Sequence, residues 1–133
     1  MDNKGQLLTK LQSASGLADR AQVELVAESV LRQLHSRLGP EADHLEAQLP
    51  GDLKPLFTGG ALGKAAEALT PHGKFDFEQM IDQVARDGGV DRSKAQQITI
   101  TLFHELKEHV SDGEVNHVAA VLPADIKQIW QRA

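Results

Sequence analysis

Residues 41–57, EADHLEAQLPGDLKPLF, align without gaps on residues 114–130, EVNHVAAVLPADIKQIW. Seven of the seventeen paired positions are identical, whereas typical residue frequencies give about one identity by chance. The identical pairs are Glu41/Glu114, His44/His117, Ala47/Ala120, Leu49/Leu122, Pro50/Pro123, Asp52/Asp125 and Lys54/Lys127. The chain is therefore predicted to be an internal duplication, with repeats at residues 4–57 and 75–130 and a connector at residues 58–74.

Helical periodicity runs through both repeats. Apolar side chains spaced three and four residues apart predict a short first helix and a long second helix in each. The first helix is expected to end at Ser15-Gly16 in one repeat and before Gly88-Gly89 in the other. Asp19 or Asp91 is expected to cap the long helix that follows.

A third and a fourth helix complete each repeat in this prediction. Pro50 and Pro123 end the third helix, and Asp52 or Asp125, two residues later, is expected to cap the fourth. The predicted fold class is all-α, an eight-helix bundle of two pseudo-symmetric four-helix repeats. The two repeats are expected to pack as one domain, residues 1–133, because about sixty residues alone bury only a marginal core.

Composition excludes several classes of function. The formal net charge of −5 has the wrong sign for a general binder of nucleic-acid phosphates. The first ten residues lack the apolar segment of a secretory signal, and no stretch approaches the roughly 18 apolar residues of a membrane span. A cytoplasmic protein with no membrane partner is expected. The absence of cysteine excludes disulfides and thiolate catalysis, and leaves histidine and carboxylates as the metal ligands.

A Glu-x-x-His motif occurs at the same position of both repeats, as Glu41/His44 and Glu114/His117. This spacing puts a carboxylate and an imidazole on one helical face, and di-iron helical bundles combine two such pairs with two further carboxylates. Candidates for the further carboxylates are Glu24, Glu28, Glu105 and Glu108. The motif therefore offers a metal site for iron, manganese or zinc at Glu41, His44, Glu114 and His117.

A local explanation competes with the metal site. Both glutamates fall in the first turn of a short helix, where the helix dipole favours a carboxylate. Glu114 also completes a Ser111-x-x-Glu114 capping box. Because a duplication copies every motif, the two copies count as one observation. In this interpretation the motif is structural and the protein needs no cofactor.

Two other features have structural explanations. The segment Gly59 to Lys64 lacks the first glycine and the final hydroxyl of a phosphate-binding loop, so it is expected to be a flexible connector. Phe57 and Trp130 occupy the same repeat position and are expected to close the core, although paired aromatic residues also anchor partners.

The motifs as a whole resemble a known family. The long amphipathic helix, followed by HLxxQLPxxLxxLF in the first repeat and VxxxLPxxIxxIW in the second, is similar to the bacterial domain of unknown function 2267 (DUF2267). The resemblance covers nearly the whole chain and implies a helical two-repeat domain. It supplies no catalytic residues. The chain departs from the family pattern at Thr58-Gly59-Gly60, where aromatic residues are usual.

The expected function is non-enzymatic, because the chain has neither a Gly-x-Ser-x-Gly elbow nor a cysteine nucleophile. We expect a protein-interaction or ligand-binding module with its site in the groove between the repeats. Its partner would be a protein or a small molecule, and a homodimer is a candidate assembly. The alternative is a carboxylate/histidine metal-binding protein of the di-iron type.

Overall fold

The computed structural model describes residues 3–38, 41–54 and 77–133, and these ranges form seven α-helices and no strand. The helices are α1 (Asn3–Ser15), α2 (Arg20–Leu38), α3 (Glu41–Gln48), α4 (Phe77–Gly88), α5 (Arg92–His109), α6 (Asp112–Val121) and α7 (Ala124–Arg132). The all-α prediction is confirmed. Among the described helices, none is long and apolar enough to cross a membrane.

The fourth helix predicted for the first repeat, which Asp52 was expected to cap, falls at the edge of the described residues. Residues 50–54 form a turn that is closed by the N–H of Leu53 on the carbonyl of Pro50 at 2.9 Å, and Lys54 begins a helical turn. The predicted connector at residues 58–74 and the aromatic Phe57 lie outside the described residues.

Glycine and aspartate set the helix ends close to the predicted positions, although α4 includes Gly88. Gly16 (φ +74°) follows α1, and Gly89 (φ +66°) follows α4; glycine adopts this left-handed conformation without steric cost. Asp91 caps α5, because its Oδ1 accepts a hydrogen bond from the N–H of Lys94 at 2.8 Å. Asp19 accepts from the N–H of Ala21 at 2.9 Å.

The prediction that Asp125 caps the fourth helix of its repeat is wrong. The N-cap position of α7 is Pro123, which offers no side-chain bond, and Asp125 lies inside the first turn, where its Oδ1 accepts from the N–H of Ile126 at 3.0 Å. Its Oδ2 accepts from the N–H of Phe77, the first residue of α4, at 2.7 Å. Asp52 accepts from the N–H of Lys4 in α1, also at 2.7 Å, and this bond holds the pKa of Asp52 below its usual range. The first N–H groups of a helix lack partners within it, so a carboxylate distant in sequence can cap them.

Each first helix packs mainly against the long helix of the other half. The helix α1 lies against α5, and α4 lies against α2. Gln22 Nε2 donates to the carbonyls of Gly88 at 3.1 Å and Gly89 at 2.9 Å, while Lys94 Nζ donates to the carbonyl of Ser15 at 2.7 Å. Because the last carbonyls of a helix also lack internal partners, each long helix closes the end of the other half's first helix.

Both of these contacts contain an ion pair. Nη2 of the buried Arg32 in α2 lies 2.5 Å from Oδ2 of Asp87 in α4. In the other contact, Lys10 Nζ of α1 lies 2.8 Å from Oε1 of Glu105 in α5. Breaking a buried pair leaves an uncompensated charge, so loss of either partner of the Arg32–Asp87 pair should destabilise the α2–α4 contact.

One hydrophobic core draws on both halves. Its largest fully buried side chains are Trp130, Phe103, Leu11, Leu31, Leu34, Leu45, Leu53, Met80, Ile81, Ile98 and Leu102. Trp130 closes the core as predicted: its ring meets Phe103 edge to face at 5.4 Å, and its Nε1 donates to the carbonyl of Val115 at 3.1 Å. The indole is thus buried with its only donor satisfied.

The close approach of α4 to α2 predicts a severe effect for Gly88→Ala. An added methyl group would overlap Cγ2 of Val26 and lie 3.4 Å from its Cα. Overpacking of this kind costs about 1–3 kcal/mol, and we expect denaturant melts to show that loss. The matched control is Gly113→Ala in α6, where the new Cβ comes no closer than 3.9 Å to Ser111 Oγ. That variant should be neutral or slightly stabilised, and equal stability of the two variants would contradict the packing.

Candidate functional site

The contact between α3 and α6 brings the two Glu-x-x-His motifs together. Glu41 is the first residue of α3, and Glu114 lies in the first turn of α6. The motifs are 73 residues apart in the sequence, so only the packing of the two halves makes them neighbours.

Glu114 does not complete the predicted capping box. Oγ of Ser111 accepts from the N–H of Glu114 at 3.2 Å, as a capping box requires. The N–H of Ser111, however, donates to Oε1 of Gln48 at the end of α3, at 2.8 Å. Since Gln48 takes the donor that Glu114 would have served, the Glu114 side chain turns inward and only 4% of it remains exposed.

The carboxyl groups of Glu41 and Glu114 lie close enough for each to shift the pKa of the other. Oε2 of each is buried, and within the described ranges neither atom receives a hydrogen bond from an N–H or hydroxyl group. Burial raises the pKa of Glu114 to about 7, and the adjacent Glu41 adds to this rise. The neighbouring Glu114 carboxyl lowers the pKa of Glu41. The pair therefore shares one proton over mildly acidic pH.

The two histidines lie at the outer edge of this pair. His44 Nδ1 is 3.4 Å from Oε2 of Glu41, and His117 Nδ1 is 3.9 Å from Oε1 of Glu114. Their side chains are 71% and 69% exposed. The buried carboxyl pair is thus lined on its solvent side by two imidazoles.

Three of the four predicted ligands lie within reach of one ion. Glu41, Glu114 and His117 each offer a ligand atom, and these atoms lie within 4.8 Å of one another. We call these three residues the carboxylate centre. His44 is not part of this group, although it contacts Glu41.

The candidate further carboxylates are placed elsewhere. Glu24 pairs with Lys4 at 3.4 Å, and Glu105 pairs with Lys10. Glu108 lies 3.1 Å from Nε2 of His104. Among the described residues, the group at the carboxylate centre includes neither these three nor Glu28, which is buried in α2. The structure therefore brings together the core of the predicted site without the extra ligands of a di-iron bundle.

The structure contains a second group of possible ligands that was not predicted from the sequence. His104, Glu105 and Glu108 in α5 also offer three ligand atoms within 4.8 Å of one another. The i, i+4 spacing of His104 and Glu108 was the available signal. Glu105 already accepts the Lys10 ammonium, and His104 and Glu108 are exposed, so this group is a weaker site than the carboxylate centre.

Proton sharing predicts that stability falls as the pH rises from 5 to 8. Glu114 binds its proton more tightly in the folded protein than in the unfolded chain. Its contribution is therefore full below its ordinary pKa of 4.5 and is lost as the pH passes about 7. The loss amounts to at most about 3 kcal/mol. Thermal melts across this range should show a falling Tm for the wild type and a flatter profile for Glu114→Gln, which cannot ionise.

The matched control is Glu46→Gln, a change of the same chemistry on α3 away from the pair. It should retain the wild-type pH profile. A Glu114→Gln profile that is as steep as the wild-type profile would show that Glu114 does not titrate in this range.

Comparison with known proteins identifies the family of this chain, and the family description names no activity. A family model described as "Uncharacterized conserved protein (DUF2267)" matches residues 4–129. No curated protein matches the chain. The match covers nearly the whole sequence and includes the entire carboxylate centre, and it agrees with the resemblance that the motifs indicated. The chain belongs to the DUF2267 family.

Proposed function

We propose that this protein is a non-enzymatic binding module, that its ligand site is the carboxylate centre, and that its ligand is a small cation. The observation that carries the proposal is the Glu114 carboxyl, 4% exposed, whose Oε2 receives no hydrogen bond from an N–H or hydroxyl group of the described residues. A buried carboxylate without donors is costly. A proton offsets that cost at low pH, and a cation offsets it at neutral pH.

The chemistry of the centre favours binding over catalysis. It offers carboxylate oxygens and one ring nitrogen, which are ligand atoms for positive charge. Two carboxyl groups in contact also repel each other once both have ionised. A bound cation would remove that repulsion, so the centre gains most from occupancy where Glu114 loses its proton.

The proposal includes the internal duplication. We infer two four-helix repeats related by a pseudo-twofold axis that passes between Glu41 and Glu114. The supporting observations are contacts that recur 73 residues apart, such as Asp52 on the N–H of Lys4 and Asp125 on the N–H of Phe77. A ligand on this axis would touch both repeats, and binding would therefore stabilise their packing.

The test is a panel of cations added to chelator-treated, dialysed protein at pH 7.5. The panel contains Mg²⁺, Ca²⁺, Mn²⁺, Zn²⁺, ammonium and spermidine, with Tm and calorimetric stoichiometry as the two measurements. At least one cation should bind one to one and raise Tm. At 100 times its Kd a ligand adds about 2.7 kcal/mol of stability.

Two variants locate the binding. Glu41→Gln combined with Glu114→Gln should abolish the Tm increase. Glu108→Gln, in the exposed group on α5, should leave it unchanged. The proposal fails when no cation of the panel binds, or when binding persists in the Glu41/Glu114 double variant.

A further inference from the structure

The geometry of the carboxylate centre narrows the class of cation. One ligand atom from each of Glu41, Glu114 and His117 lies within 4.8 Å of the others. Ligand atoms around a tetrahedral ion with bonds of 2.0–2.2 Å are about 3.4 Å apart. Small rotations of the side chains would bring the ligand atoms from within 4.8 Å of one another to the separation of about 3.4 Å that a tetrahedral ion needs. His117 needs only a small movement, because its ligand atom already lies within 4.8 Å of both carboxylates, whereas His44 is not part of that group.

The ligand types select among metals. Calcium takes six to eight oxygen ligands, and magnesium keeps an octahedral shell of oxygens and water. A set of two carboxylates and one imidazole instead suits first-row transition ions and zinc. Two carboxylates also neutralise the charge of one divalent ion.

The surroundings favour one ion over two. A second ion needs further carboxylates, and Glu24 and Glu105 already pair with lysine ammonium groups. Glu108 lies next to His104. His44 contacts Glu41 from outside the group, at 3.4 Å, where it can orient the Glu41 carboxylate without being a ligand.

We propose that the carboxylate centre binds a single divalent transition-metal ion, with Zn²⁺ as the best fit, through Glu41, Glu114 and His117. Water completes the coordination on the exposed side. This assignment rests on the cation-binding function proposed above and adds to it the metal, the stoichiometry and unequal roles for the two histidines. The duplicated motifs thus contribute three ligands, and His44 is a positioning residue.

The test compares two histidine variants of the full chain. His117→Ala and His44→Ala remove equally exposed side chains from paired positions, so both should keep the wild-type circular dichroism spectrum. Calorimetric titration of chelator-treated protein with Zn²⁺ should give one site per chain. We expect His117→Ala to lower the affinity about 100-fold or more and His44→Ala about tenfold or less.

Cobalt provides a readout independent of affinity. Co²⁺ bound in tetrahedral geometry gives visible absorption bands that depend on its ligands. His117→Ala should change these bands, whereas His44→Ala should leave them in place. A tenfold excess of Mg²⁺ or Ca²⁺ should not displace the Co²⁺.

Other results would contradict the ligand set, the class of metal or the cation-binding function. Equal effects of the two histidine variants, or two ions per chain, would contradict the three-ligand assignment. When only ammonium, spermidine, Mg²⁺ or Ca²⁺ binds and the Glu41/Glu114 double variant abolishes that binding, the transition-metal assignment is wrong and the cation-binding function stands. When no cation binds at these glutamates, both are wrong.

Discussion

The packing of each first helix on the long helix of the other half is the constraint on which the rest of the structure depends. It buries α1 against α5 and α4 against α2, so that the core is shared between the halves. A half of about sixty residues that buried only its own apolar surface would be marginally stable. The same packing places α3 against α6, and the carboxylate centre is therefore a product of the interface between the halves.

At this interface a tertiary contact overrides a local one. A glutamate three residues after an N-cap serine ordinarily returns to the serine N–H, yet here Gln48 of the other half supplies the acceptor. The displaced Glu114 side chain is buried against a second carboxyl group, which is unfavourable unless a proton or cation lies between them. The proposed site thus depends on one glutamine, whose importance is visible only in the fold.

The two halves share their apolar framework and differ in their polar contacts. The α2–α4 contact is stabilised by the buried pair Arg32–Asp87, whereas the α1–α5 contact has Lys10–Glu105, with the lysine largely exposed. His44 and His117 occupy the same repeat position, yet only His117 belongs to the carboxylate centre. Apolar burial tolerates little change of volume, while polar partners at the surface of a packed core can differ between the two halves.

The sequence by itself determined the helical class, the helix ends near Gly16, Gly89 and Asp91, and the burial of Trp130. These features follow from periodicity, capping and glycine conformation, which act over a few residues. The sequence motifs also indicated the family. Only the tertiary structure decided which helices pair across the halves and that Asp125 caps α4. It also decided that Glu41, Glu114 and His117 converge while His44 and the other glutamates do not. The physical reason is that an unpaired N–H or a buried carboxyl takes whichever partner folding brings near, and proximity of this kind is not encoded in local spacing.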